Sequence, residues 1–213
     1  MWARIWKATA QPGPDLAYLQ GPLPELPRFG GEEVLAAARA FKPRAATAPD
    51  GVHVRRFALL PKVGRQLCAQ LMQLCERVGL WPTQISQLLV VLLPKVPGPG
   101  WRPIGILPSF YRLWMKIRRG LCSQWEHQHD RAFFAMGAHR KVTDPVWRQA
   151  VRAEASICTG QASCTILWDL VKRYETIHFK HLWQEGATLD FPHASPQAQL
   201  AGLPDAKICL HGR

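Results

Sequence analysis

Apolar residues recur at helical spacing through Phe57, Leu59, Leu60, Val63, Leu67, Leu71, Leu74 and Val78. The spacing predicts an amphipathic helix over residues 61–78 that stops at Gly79, with Cys68, Leu71, Met72 and Cys75 as core filling. The pattern then changes to an unbroken apolar run at residues 87–93, which reads as a strand ending at Pro94-Lys95. Val96-Pro97-Gly98-Pro99-Gly100 is a loop, because no regular element tolerates two prolines and two glycines so placed. Residues 101–107 form the returning strand. The resulting β-hairpin, about 88–107, carries Lys95 and Arg102 on its two arms near one tip, where both can reach the same anion. The alternative is a pair of solvated surface charges.

Other segments carry their own punctuation. Glu32 and Glu33 open, and Arg39 closes, a short helix over residues 32–40, in keeping with the helix macrodipole. Pro49-Asp50-Gly51 is a turn signal. Ser109 is placed to cap a helix through Phe110, Leu113, Trp114, Ile117 and Leu121, with an apolar stripe that packs and a free basic face of Arg112, Lys116, Arg118 and Arg119. Thr143-Asp144-Pro145 starts a further helix over residues 146–157. A short strand is expected over residues 164–169, followed by a helical stripe through Val171, Tyr174, Ile177 and residues 178–183. Past Gly186 at most one short helix is expected. Residues 1–30 hold Pro12, Pro14, Pro22, Pro24 and Pro27, a composition that propagates neither helix nor central strand, and read as a poorly ordered leader.

Charge adds a partner class. The 213 residues carry a formal net charge of +12 with a pI near 9.9, which favours polyanionic partners such as nucleic acid. Between Arg77 and Trp125 there is no Asp or Glu, while Arg77, Lys95, Arg102, Arg112, Lys116, Arg118 and Arg119 fall there. Such a one-signed stretch suits phosphates. The six cysteines form no CxxC pair and read as reduced packing residues rather than a zinc site or disulfide framework. His127 and His129 are two apart and point away from each other on a helix, and His178 with His181 lacks a third partner, so neither pair predicts a metal site. Without an apolar leader or a membrane-length run, an intracellular, soluble protein is expected, left open between nucleus and cytoplasm.

The chemistry centres on Asp169. Ile166, Leu167 and Trp168 suit a buried strand that aims Asp169 into a cleft. A carboxylate there needs a cation or donors, and a divalent metal is one solution. A helix N-cap or a salt bridge is the other.

Asp169-Leu170-x-Lys172-x-Tyr174-Glu175-x-Ile177 resembles the first catalytic block of reverse transcriptases of the non-LTR retrotransposon and group II intron type, which runs Asp-Leu-x-Lys-Ala-Phe-Asp-x-Val. Val91-Leu92-Leu93-Pro94-Lys95, followed by Trp101-Arg102-Pro103-Ile104-Gly105-Ile106-Leu107-Pro108-Ser109-Phe110-Tyr111-Arg112-Leu113-Trp114-Met115-Lys116, resembles the fingers block of that family. Ala48-Pro49-Asp50-Gly51-Val52 is similar to its short Pro-Gly-x-Asp-Gly motif, with one glycine missing. All three occur in the family's order.

The resemblance implies an α+β fold: mostly helical fingers (about 41–142) and the start of a palm (about 143–213) of a right-hand polymerase, within a partial domain over residues 31–213. It implies RNA-directed DNA polymerisation by two Mg²⁺ ions, with Asp169 and the backbone carbonyl of Leu170 as metal ligands. Lys95, Arg102 and Tyr174 would bind the incoming deoxynucleotide triphosphate. Arg112, Lys116, Arg118 and Arg119 would hold RNA template or DNA primer, with no membrane partner. The family's later Ala-Asp-Asp block and its Gln-Gly-x-x-x-Ser-Pro block do not occur in these residues. A truncated domain, inactive alone, is therefore expected. The alternatives are a non-catalytic, basic nucleic-acid-binding module and an unrelated helical scaffold.

Overall fold

The computed structural model describes residues 25–48, 50–78, 81–85, 88–131, 133–134, 140–141, 143–166 and 179–192. The described elements are α1 (Gly31–Arg39), a 3₁₀ turn (Val54–Leu59), α2 (Lys62–Val78), a second 3₁₀ turn (Thr83–Ile85), β1 (Leu89–Pro94), β2 (Trp101–Ile106), α3 (Ser109–Gln128), α4 (Thr143–Cys158) and α5 (Phe179–Thr188). The mixture of helices with one antiparallel pair of strands is α+β in outline. Of the leader expected at 1–30, residues 1–24 lie outside the described residues, whereas 25–30 are held on the core: Phe29 is buried, and the Pro27 and Phe29 carbonyls accept from Arg118 and Gln73. Of the strand expected at 164–169, residues 164–166 form no strand and are exposed, Ile166 included, while its remainder and the helix start, 167–178, lie outside the described residues. Helix α5 overlaps the helical stripe expected at 178–183 and runs on through Gly186.

The core lies where α1, α2, the first 3₁₀ turn and α3 meet. Val34, Ala37, Ala38, Val54, Ala69, Met72, Cys75, Leu113 and Trp114 are buried there. Small side chains let α1 and α2 approach closely. A Cβ on Gly31 would sit 3.1 Å from the Gln66 backbone nitrogen, and the Gly31 N–H instead donates to Gln66 Oε1 at 3.0 Å. Trp81 closes one side, with its ring 5.1 Å from both Tyr111 and Trp114 and edge-on to each, the geometry that aromatic quadrupoles favour.

Helix α2 buries Met72 and Cys75, as expected, but turns Leu71 and the rest of its leucine and valine row outward. Ala69, Met72, Cys75 and Glu76 face the core, while Val63, Leu67, Leu71, Leu74 and Val78 are 44–71 % exposed. The reason is the partner across the interface. Glu76 receives Arg118 Nε and Nη2 at 2.5 and 2.6 Å and the Trp114 indole N–H at 2.5 Å, which fixes the inward direction of α2 by a buried charge. Gln73, from the same side, donates to the Phe29 carbonyl at 2.8 Å.

The start of α3 is also built differently from the expectation. Ser109 is its first residue and Pro108 occupies the N-cap without a side-chain bond. The cap comes from afar: Asp50 Oδ2 accepts the Ser109 N–H at 2.6 Å. Asp50 Oδ1 accepts the Ser109 hydroxyl at 3.3 Å and the Val52 N–H at 3.0 Å. A carboxylate at a helix N-terminus satisfies an orphan donor and meets the positive end of the dipole.

At its other end α3 is tied to α5, where the Trp125 indole N–H donates to the Leu189 carbonyl at 2.6 Å and its ring meets Phe191 at 5.0 Å. Arg140 holds the connection between α3 and α4 by pairing with Asp130 at 2.6 Å and donating to the Arg131 carbonyl at 2.7 Å. Helix α4 begins at Thr143, as its Thr-Asp-Pro start predicts, with Asp144 accepting the Lys141 N–H at 2.7 Å.

Candidate nucleic-acid interface

The hairpin positions two cations by strand alternation. In the register Leu93 opposes Arg102 and Pro94 opposes Trp101. The Lys95 N–H then donates to the Gly100 carbonyl at 2.9 Å, extending the ladder by one pair. Residues two apart on a strand, and residues paired across it, share a face. Lys95 and Arg102 therefore project from one face at the tip, and both are exposed. Gly100 matters to this arrangement: its φ of +114° is closed to ordinary side chains. The Lys95 stem passes 3.7 Å from where a Cβ would stand. At the root, Val90 is buried on the opposite face, and the Leu88 side chain lies 3.2 Å from a Cβ built on Gly105.

Pro94 and Pro103 sit in the ladder without breaking it. Lys95 and Gly100 form a hydrogen-bonded pair, so alternation makes Pro94–Trp101 and Leu92–Pro103 non-hydrogen-bonded pairs. The missing N–H groups belong to positions that point away from the partner strand.

The four basic residues of α3 do not share one free face. Arg118 is 8 % exposed. Besides Glu76, it donates to the Pro27 carbonyl at 2.6 Å and lies 4.7 Å from the Phe29 ring centroid. Its assignment to nucleic-acid phosphates is corrected: a hundred-degree step per residue turns Arg118 inward, and its guanidinium is committed to the core. Arg112, Lys116 and Arg119 lie at i, i+4 and i+7, one stripe on the other side of the helix.

That stripe meets a second element. Arg112 lies 5.5 Å and Lys116 6.0 Å from the Phe41 ring centroid, distances at which a ring face attracts a cation. Arg112 also donates to the Ala46 carbonyl at 2.6 Å, and Arg55 donates to the Phe41 carbonyl at 3.3 Å. The segment 41–46 is thereby pinned against α3, and its Lys42 and Arg44 are exposed. Nothing in the periodicity pointed to Phe41, Lys42 or Arg44. The usable signal was an aromatic residue followed by Lys-Pro-Arg in a segment with no acid, which the turn motif just downstream overshadowed.

Asp50, in the turn segment 48–52, caps the helix that presents the stripe. Asp169, Leu170 and Tyr174, expected to bind metal and nucleotide, lie outside the described residues. Among the described residues no group of three or more His, Cys, Asp or Glu is gathered to hold a metal, and no helix is long and apolar enough to cross a membrane. His129 Nδ1 lies 3.0 Å from the Trp125 carbonyl, a local backbone contact. Burial pushes the Cys68, Cys75 and Cys122 thiols and the Tyr111 hydroxyl up from their ordinary pKa values. The neighbouring carboxylates Glu76 and Glu126 add to this at Cys75 and Cys122. Compared with known proteins, the chain matches no family model, and no curated protein matches it.

Proposed function

We propose that these residues are the fingers and first part of the palm of a reverse-transcriptase-type domain, in which the hairpin tip grips the triphosphate of an incoming deoxynucleotide. The observation that carries this reading is the placement of Lys95 and Arg102 on one exposed face of the hairpin. Arginine offers a planar fork to phosphate oxygens and lysine a point charge, so the pair suits a polyphosphate better than a single carboxylate. In the complete reaction Asp169 and the Leu170 carbonyl would hold Mg²⁺, which supplies charge stabilisation to nucleotidyl transfer. One such carboxylate does not hold two metal ions, and the sequence has no Asp-Asp pair. The expected activity of these residues is binding of nucleotide and nucleic acid without polymerisation.

The test is Mg²⁺-dependent binding of a fluorescent deoxynucleotide triphosphate to the full chain. Lys95→Ala and Arg102→Ala should each weaken binding about tenfold, the scale of one charge-assisted hydrogen bond. Asp169→Asn should abolish the Mg²⁺ dependence. Nucleotide binding indifferent to all three substitutions overturns the proposal.

A second reading, a non-catalytic nucleic-acid-binding module, is favoured by the stripe of Arg112, Lys116 and Arg119 against Phe41, which needs neither metal nor Asp169. It is the better account if single-stranded RNA binds with a steep salt dependence while nucleotide does not bind. Lys116→Ala and Arg119→Ala would then each lower the salt slope by about one unit or a little less.

A further inference from the structure

The outward stripe of α2 is a row, not a scatter. Val63, Leu67, Leu71, Leu74 and Val78 are 71, 59, 44, 47 and 51 % exposed, and Leu59, just before the helix, is 82 % exposed. The spacing of four, four, three and four keeps the five helical side chains within about 80° of one another on the wheel, over about four turns. Singly exposed apolar residues need no explanation, but a contiguous row of this length marks an interaction surface. The 3–4 spacing is that of a seam between two packed helices.

The charges at the rim indicate the occupant. Lys62 and Arg77 are exposed along one side of the row, with Gln66 and Gln70 between them, and Arg56 is exposed in the 3₁₀ turn just before the helix. The one carboxylate of α2, Glu76, points to the core and is paired with Arg118 at 2.5 Å. A second copy of the chain fits poorly. Parallel pairing sets Lys62 against Lys62 and Arg77 against Arg77, antiparallel pairing sets Lys62 against Arg77, and each places like charges together.

We propose that α2 is a docking strip for an amphipathic helix of a partner protein, with an apolar 3–4 seam of about four turns flanked by Asp and Glu. The seam buries the leucines and the acidic flanks meet Arg56, Lys62 and Arg77, in the helix-on-helix mode of recognition. This inference does not depend on the nucleotide or nucleic-acid reading.

The experiment measures, by fluorescence anisotropy with the full chain, binding of three synthetic helical peptides. They share a Leu seam flanked by Glu, the same seam flanked by Lys, or Glu flanks with the seam changed to Ser. The Glu-flanked Leu peptide should bind at least tenfold tighter than either other peptide. Leu67→Ser/Leu71→Ser should lose that binding with the thermal midpoint retained, because both side chains are exposed. Lys62→Glu/Arg77→Glu should shift preference to the Lys-flanked peptide. Equal binding of both Leu peptides, or none, overturns the proposal. So does a concentration-dependent dimer in light scattering that Leu67→Ser/Leu71→Ser abolishes, since the strip would then be covered by a second copy.

Discussion

Asp50 Oδ2 accepts the backbone N–H of Ser109 at 2.6 Å across 59 residues of sequence, so the turn before the first 3₁₀ segment holds the N-terminus of the helix that bears the basic stripe. Asp50→Ala should lower stability by about 1–2 kcal/mol, the usual cost of losing a helix cap. Asp50→Asn, which keeps an acceptor, should recover most of it. The measurement is chemical denaturation of the three proteins, and an Asp50→Ala midpoint equal to that of the parent refutes the assignment.

Glu76 and Arg118 form a buried pair whose side chains are 8 and 10 % exposed. Removing one partner strands the other charge away from water, so Arg118→Ala or Glu76→Ala should cost about 3–5 kcal/mol. Replacing both with apolar residues of similar volume, as in Glu76→Leu/Arg118→Met, should be milder than either single change. Three thermal melts decide it: a double variant less stable than both single variants rules out charge burial as the cause.

Gly100 lets the hairpin tip close under Lys95. Gly100→Val meets a backbone angle disfavoured for L-residues and should cost about 1–3 kcal/mol of local stability. Amide hydrogen exchange at Lys95 should accelerate, while protection of α1 and α2 stays unchanged. Unaltered exchange at Lys95 refutes the stated role of this glycine.

The raised thiols give a signed pH dependence. An acid with a folded pKa above its unfolded value binds its proton more firmly in the native state. Its contribution is constant below the unfolded pKa, and native stability falls as pH climbs through the interval up to the folded one. Cys68, Cys75 and Cys122 should therefore leave stability flat through neutral pH and reduce it above about pH 9, with Tyr111 adding its effect at higher pH. Denaturation midpoints at several pH values test this, and a midpoint that rises across that alkaline range contradicts it. At neutral pH a thiol reagent should modify exposed Cys158 and Cys164 before buried Cys75.

The hairpin was legible because its cues are local: an apolar run, a Pro/Gly loop and a returning strand within twenty residues. The existence of α2 was equally legible, but its inward face only in part. Met72 and Cys75 were picked out with Leu71, but apolar counting favours the leucine stripe, whereas Ala69 and Glu76 are drawn inward by what α1 and α3 offer them. Arg118 illustrates the same limit. From sequence it is one cation among four, and its commitment to Glu76 depends on a contact 42 residues away. The remote cap on Ser109 belongs to the same class, because local sequence already supplied a plausible capping residue.

The two prolines of the hairpin ladder carry a last consequence. A two-stranded ribbon has two outer edges, each able to recruit another strand through unpaired N–H groups. Pro94 faces one edge and Pro103 the other, and neither has a donor to offer. The ribbon keeps its internal bonds while each margin presents an interrupted template. Two such ribbons meeting edge to edge cannot zip into a longer sheet at these positions, which protects an apolar projection from self-association at high protein concentration.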